Sequence, residues 1–184
     1  MKKSLYFLFC IIISLKVFGN NFDKHYPDSI DIVPISVVEG NNNDYFLTGY
    51  YKYNYYDTNE LIKIFITKID STGKRVKTIF IGDSLSKGTL NDIIQTEDNN
   101  FMAVGSYNNN INEGNSFFVV KFDSVLNIIY QKKYAVNYYG VFYFINKTIN
   151  GNYIIVGRAT NPTTFYKEII IMKINTLGDS LFFR

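Results

Sequence analysis

The sequence predicts an all-β fold, a β-propeller-like array of about three four-stranded antiparallel blades. Three observations predict it. First, one phrase occurs three times, as Asn42-Asn43-Asp44-Tyr45-Phe46-Leu47-Thr48-Gly49, Asp98-Asn99-Asn100-Phe101-Met102-Ala103-Val104-Gly105 and Asn150-Gly151-Asn152-Tyr153-Ile154-Ile155-Val156-Gly157. Its closing glycines stand 56 and 52 residues apart. Second, a β-branched run ending in Lys-x-Asp-Ser or Lys-x-Asn-Thr also occurs three times, with Lys68, Lys121 and Lys173 separated by 53 and 52 residues. Two independent markers with nearly one period define a repeat architecture. Third, beyond the first segment, no stretch carries a long apolar period of 3.6 with helix caps.

The elements follow in order. Asn150-Gly151 reads as a two-residue hairpin turn, because both residue types tolerate positive φ. Tyr153-Ile154-Ile155-Val156 suits a pleated, buried surface. The first unit (approximately 27–82) has strands near Ile32–Val38, Asp44–Tyr51, Leu61–Asp70 and Lys74–Ile81. The second (83–134) has Leu90–Gln95, Asn100–Tyr107, Ser116–Asp123 and Asn127–Tyr134. The third (135–184) has Val141–Lys147, Asn152–Arg158, Glu168–Asn175 and Ser180–Arg184. Phe22–Tyr26 resembles Tyr130–Tyr134 and keeps its register, since Tyr26 and Tyr134 each precede their hairpin glycine by 23 residues. It reads as the last strand of another repeat. A four-stranded blade cannot bury both faces alone, so stacking around an axis is expected. Rings of this kind have about four to eight blades, so the array is expected to be part of a larger ring.

Residues 1–19 read as a secretory signal peptide, with Lys2 and Lys3 ahead of an apolar core from Leu5 to Leu15. Cleavage after Gly19 leaves residues 20–184 as a partial propeller. It removes Lys2, Lys3, Lys16 and Cys10, the only cysteine, so the net charge of +3 falls to 0. A chain with no basic excess is not expected to bind nucleic acid. Without cysteine it has no disulfide and no thiolate metal site. No stable membrane span is expected once the signal is gone.

The pattern of a polar turn, Asn-Gly or Asp-Asn, then Tyr/Phe-x-x-x-Gly, then a strand ending Lys-x-Asp-Ser/Thr-x-Gly, resembles secreted β-propeller repeat proteins of Bacteroidetes-type bacteria. In that family an Asp-Gly-Gly-Tyr turn recurs, often ahead of a type IX sorting domain. The turns here are Asn-rich where the family favours Gly-Gly. The resemblance spans Phe22 to Arg184 and implies the fold and a secreted or cell-surface location. It also implies that Asp70-Ser71, Asp123-Ser124 and similar pairs are O-glycosylation acceptors. Their residue types favour plain turn formation.

No catalytic constellation is present. His25 is the only histidine, and no metal-ligand or phosphate-cradling motif appears. Asp31 and Asp92 fall on first strands, which line a propeller's channel. Ser36 and Phe144 align with Asp92, so no carboxylate pair is available for acid–base work. Neither a cofactor nor a metal is expected. The leading reading is a non-catalytic binding or adhesion module for a glycan or protein. The alternative is a fragment of a propeller hydrolase or lyase whose catalytic residues lie outside this chain. Open strand edges would favour self-association. Recognition is expected on the face where connections vary from unit to unit, with Tyr51, Tyr53, Tyr55, Tyr56, Asn108, Asn109, Tyr138 and Tyr139 as ligand-binding residues.

Overall fold

The computed structural model describes residues 25–26, 31–53, 61–83, 85–109, 114–134, 139–161 and 163–184. Twelve strands form three four-stranded antiparallel sheets. Blade 1 contains β1 (Asp31–Glu39), β2 (Tyr45–Tyr53), β3 (Leu61–Ile69) and β4 (Arg75–Ile81). Blade 2 contains β5 (Lys87–Gln95), β6 (Phe101–Asn108), β7 (Ser116–Phe122) and β8 (Ile128–Tyr134). Blade 3 contains β9 (Tyr139–Lys147), β10 (Tyr153–Thr160), β11 (Lys167–Ile174) and β12 (Ser180–Phe183). Each sheet runs in sequence order, so every blade is a meander. The propeller-like array read from the repeats is the observed architecture. Among the described residues there is no helix, and so none long and apolar enough to cross a membrane.

The first hairpin turn differs from the expected one. Gly151 alone takes positive φ, at 70°. Its N–H donates to the Thr148 carbonyl, and the Thr148 N–H donates to the Asn152 carbonyl. Three residues therefore make the turn, with the third left-handed, a common hairpin geometry that relieves Asn150 of positive φ. Asn43 and Asn99 hold the same place in the other blades, at φ 56° and 60°. Asparagine tolerates this conformation better than most residues, which accounts for the Asn-rich turns.

The Asp-Ser and Asn-Thr pairs shape the third connection of each blade. One carboxylate oxygen of Asp70 accepts from the N–H groups of Thr72 and Lys74. The Asp123 carboxylate and the Asn175 amide oxygen repeat this pattern two and four residues on. Each side chain thus supplies bonds that turn backbone would otherwise lack.

Phe22–Tyr26 was expected as a strand. Phe22, Asp23 and Lys24 lie outside the described residues, while His25 and Tyr26 carry no strand pairing. The register of Tyr26 is nevertheless meaningful. Its hydroxyl donates to the Gly73 carbonyl at 2.7 Å, as Tyr134 does to Gly178 at 2.6 Å. Tyr26 meets the third-connection turn of blade 1 as blade 2's last strand meets that of blade 3. Burial, and then Asp179, push the Tyr134 phenol above its ordinary range, so it stays a donor.

Blades 1 and 2 share one core cluster, including Phe46, Ile64, Ile66, Phe101, Phe118 and Val120. Blades 2 and 3 share a second, including Met102, Val104, Phe117, Val119, Phe142 and Met172. Blade 2 is apolar on both faces because it is covered on both. A polar device recurs beside each cluster. Lys68 pairs with Asp44 at 2.7 Å and donates to the Ser124 carbonyl of blade 2 at 3.0 Å. Lys121 pairs with Asp98 at 2.7 Å and donates to the Thr176 carbonyl of blade 3 at 3.3 Å. The repeated lysine is a tether from one blade to the next.

Burial alone would raise the Asp98 pKa, but bonds from Lys121, Thr96 and Asn100 outweigh it and hold it well below the carboxylate range. A lowered folded pKa contributes stability above the unfolded value, near 3.9 for Asp, and loses it as pH falls toward the folded value. Asp70, Asp123 and Asp179 are lowered too, so their contributions have the same sign. Melting temperature is therefore expected to fall on acidification below about pH 4. Asp98→Asn should shrink that acid limb while lowering stability at neutral pH. An unchanged limb in thermal melts by circular dichroism would remove Asp98 from the linkage.

Candidate functional site

The varied connections lead to a polar cavity of about 430 Å³ between blades 2 and 3. Its wall is built from strand ends. β5 opens with Lys87, β6 closes with Asn108, β9 opens with Tyr139-Gly140, and β10 contributes Arg158 and Thr160. Val141 of β9, with Gly114 and Asn115 just ahead of β7, completes it.

Hydrogen bonds hold this wall together. The Lys87 N–H donates to the Asn108 side-chain oxygen at 2.9 Å. The Asn108 amide donates to the Asn115 side-chain oxygen at 3.1 Å. The Gly140 N–H donates to the Asn115 carbonyl at 2.7 Å, joining blade 3 to blade 2. Close approach explains both glycines. A Cβ on Gly114 would stand 1.5 Å from the Tyr139 ring, and one on Gly140 would stand 2.4 Å from the Phe117 ring. Tyr139 rests against bare backbone and keeps half its surface exposed.

The cavity presents two cationic side chains, Lys87 and Arg158, and no carboxylate among its lining residues. Neither cation makes an ion pair among the described residues. An aromatic ring, amides, a hydroxyl and two cationic side chains together suit a ligand rich in hydroxyls and bearing negative charge.

The sequence-predicted residues separate into groups. Asn108 and Tyr139 meet in this cavity. Asn108 lies within β6, which runs one residue beyond its expected end, and its side chain is buried. Asn109 follows as an exposed bend. Tyr51 is buried on blade 1, its ring 4.7 Å from Phe80 in an edge-on contact, so its surface is spent on packing. Tyr53 ends β2. Tyr55, Tyr56 and Tyr138 lie outside the described residues.

Lys87, Asn115, Arg158 and Thr160 were not among the expected site residues. One signal for them was available. The outer rung between first and second strands pairs Asp31 with Lys52, Lys87 with Asn108 and Tyr139 with Thr160. Equivalent positions in a repeat thus carry unrelated chemistry here, while the rungs at the opposite end each pair a polar residue with an aromatic one, Glu39 with Tyr45, Gln95 with Phe101 and Lys147 with Tyr153.

The first-strand acid serves another purpose. Asp92 accepts from the Ser36 hydroxyl of blade 1 at 3.0 Å and the Ile145 N–H of blade 3 at 3.0 Å. It also accepts from the Ile93 N–H at 2.9 Å. One carboxylate thereby ties three blades, with its oxygens committed to that task. Among the described residues, no group of three or more His, Cys, Asp or Glu side chains is placed to hold a metal ion.

No protein-family model and no curated protein matches the sequence. Among solved structures, the chain is similar to a crystal structure of the eukaryotic initiation factor, with a TM-score of 0.50 and 12% identity. The match covers 89% of this chain and 34% of that one, so this chain spans about a third of its length. At that identity the likeness shows a shared fold alone.

Proposed function

We propose that this protein is a non-catalytic, secreted or cell-surface binding module that recognises an acidic glycan in the cavity between blades 2 and 3. The observation that carries this reading is the joining of Tyr139 to Lys87 and Arg158 in one polar cavity without a carboxylate on its wall. A ring face offers a stacking surface for a sugar. Asn115 and Thr160 offer bonds to hydroxyls, while the two cations favour a uronate or sulfate group. Secretion is supported by the charged and apolar character of residues 1–19.

Isothermal titration against acidic and neutral oligosaccharides tests it. Tyr139→Ala is expected to weaken binding of the acidic ligand by about tenfold, equivalent to roughly 1.4 kcal/mol. As Tyr139 is half exposed, stability should move by only about 0.5 kcal/mol. Arg158→Ala should cost affinity for acidic ligands and little for neutral ones. Equal affinity for acidic and neutral sugars, or binding unchanged in both variants, would refute the assignment.

A further inference from the structure

We infer that Phe165 and Tyr166 form a second sugar subsite beside the cavity, so that the ligand is a chain of several acidic sugars and not a single unit. This rests on the acidic-glycan reading of that cavity and extends it along the ligand.

Strain is the first observation. Among the described residues, four other than glycine take positive φ: Asn43, Asn99, Leu126 and Phe165. Asparagine tolerates this region. Leu126 is 2% exposed and belongs to the core cluster of blades 1 and 2, so packing offsets its strain. Phe165 has neither reason. A bulky side chain at φ 59° is strained, yet 73% of its surface is exposed. Backbone strain without a packing gain is a mark of residues held for function.

Rigidity is the second. Asn161 organises the connection from β10 to β11. Its side-chain oxygen accepts from the Thr163 and Thr164 N–H groups at 2.9 and 3.2 Å. Its carbonyl accepts from the Phe165 N–H at 2.8 Å, and its own N–H donates to the Tyr166 carbonyl at 3.0 Å. These bonds fix the backbone at both aromatics, which lowers the ordering entropy lost on binding. Tyr166 is 74% exposed, so two neighbouring rings meet solvent from one fixed turn.

Position is the third. Thr160 lines the cavity and pairs with Tyr139 on one side and Lys167 on the other. Asn161 and Tyr166 make the next step of the same ladder. Adjacent strands lie about 4.8 Å apart, so the aromatic turn starts one strand spacing from the cavity wall. Lys167, exposed at the start of β11, places a cation beside it. The connection is one of those that differ from blade to blade, where recognition sits on a constant scaffold. A ring face suits the apolar side of a sugar, and Lys167 suits the acidic group of a second one.

Isothermal titration with matched uronate and sulfated oligosaccharides, each as disaccharide and hexasaccharide, tests the subsite. The wild type is expected to bind the hexasaccharide of its preferred set about tenfold more tightly than the disaccharide. Tyr166→Ala and Phe165→Gly should each remove most of that difference and leave the disaccharide affinity unchanged, whereas Tyr139→Ala weakens both lengths. Glycine relieves the strain, so Phe165→Gly should also raise the melting temperature by about 2–4 °C. That gain in stability with a loss of long-chain affinity is the signature of a residue kept strained for binding. Equal wild-type affinity for both lengths, or a length preference that survives both variants, would overturn the subsite and leave the cavity reading intact. So would a lower melting temperature for Phe165→Gly, which would make its ring a packing element. Absence of binding to either set at any length would overturn the cavity reading and the subsite with it. Circular dichroism reports folding, and should Tyr166→Ala not fold, Phe165→Gly decides.

Discussion

Gly105→Ala is expected to destabilise the protein by about 3 kcal/mol, the upper part of the usual range for overpacking. The reason is a lack of space. A Cβ at Gly105 would stand 1.9 Å from the Thr89 carbonyl oxygen and 2.9 Å from the Leu90 Cα. Both neighbours are backbone atoms of β5, so no side chain can rotate away. The clash lies at a bulge, where β5 skips Asn91 in its pairing with β6. The bulge brings a first-strand carbonyl over the second strand. The other blades repeat the arrangement, with Gly49 against the Val33 carbonyl at 2.1 Å and Gly157 against the Val141 carbonyl at 2.3 Å. Bulges in β1 and β9 adjoin them. Urea unfolding of Gly105→Ala measures the cost. A loss below about 1 kcal/mol would mean that β5 yields easily and that space is not what requires glycine.

Phe101→Ala should cost about 3–5 kcal/mol, the usual range for deleting a buried phenyl ring. Phe101 is 1% exposed at the start of β6, and its ring stacks on Phe46 of blade 1 with centroids 3.9 Å apart. Phe122 stacks on it at 5.7 Å. The ring thus joins two blades, and surrounding strands can close the void only by moving a whole sheet. Lys68 stands 5.5 Å from the Phe46 ring, so the tether and the aromatic stack belong to one contact. Phe165→Ala serves as the control. At 73% exposure it should change stability by only about 0.5 kcal/mol. Similar losses for the two variants in thermal and urea melts would contradict a core centred on the blade interface.

Much of the fold was legible because its signals are local. Alternation and β-branched runs located all twelve strands to within a few residues, since a strand's side-chain period is independent of its partners. The carboxylates of Asp70 and Asp123 act within their own turns, so their role could be read from the adjacent residues. The first turn was misjudged as a two-residue loop because Asn-Gly suits both loop lengths. Choosing between them depends on how β9 and β10 pair. The candidate site was much less legible. Tyr139 was visible as an aromatic beside a varied connection, but Lys87 and Arg158 lie 71 residues apart and meet only through the stacking of two blades. Tyr51 was expected on the face of varied connections, whereas packing against Phe80 placed that ring inside.

By itself, the sequence determined the repeat, the strands, the turn residues and the meander order, because propensity and periodicity act over a few neighbouring residues. It also marked three glycines and three lysines as special without revealing why. The tertiary structure alone decided that the glycines clear space for first-strand carbonyls and that the lysines of blades 1 and 2 tether one blade to the next. It also decided that Asp92 joins three blades through its hydrogen bonds. The physical reason is range. Steric exclusion and hydrogen bonding act over a few ångströms, and the groups they join here are often about fifty residues apart in the chain. Only stacking of the blades brings such distant residues within reach of one another.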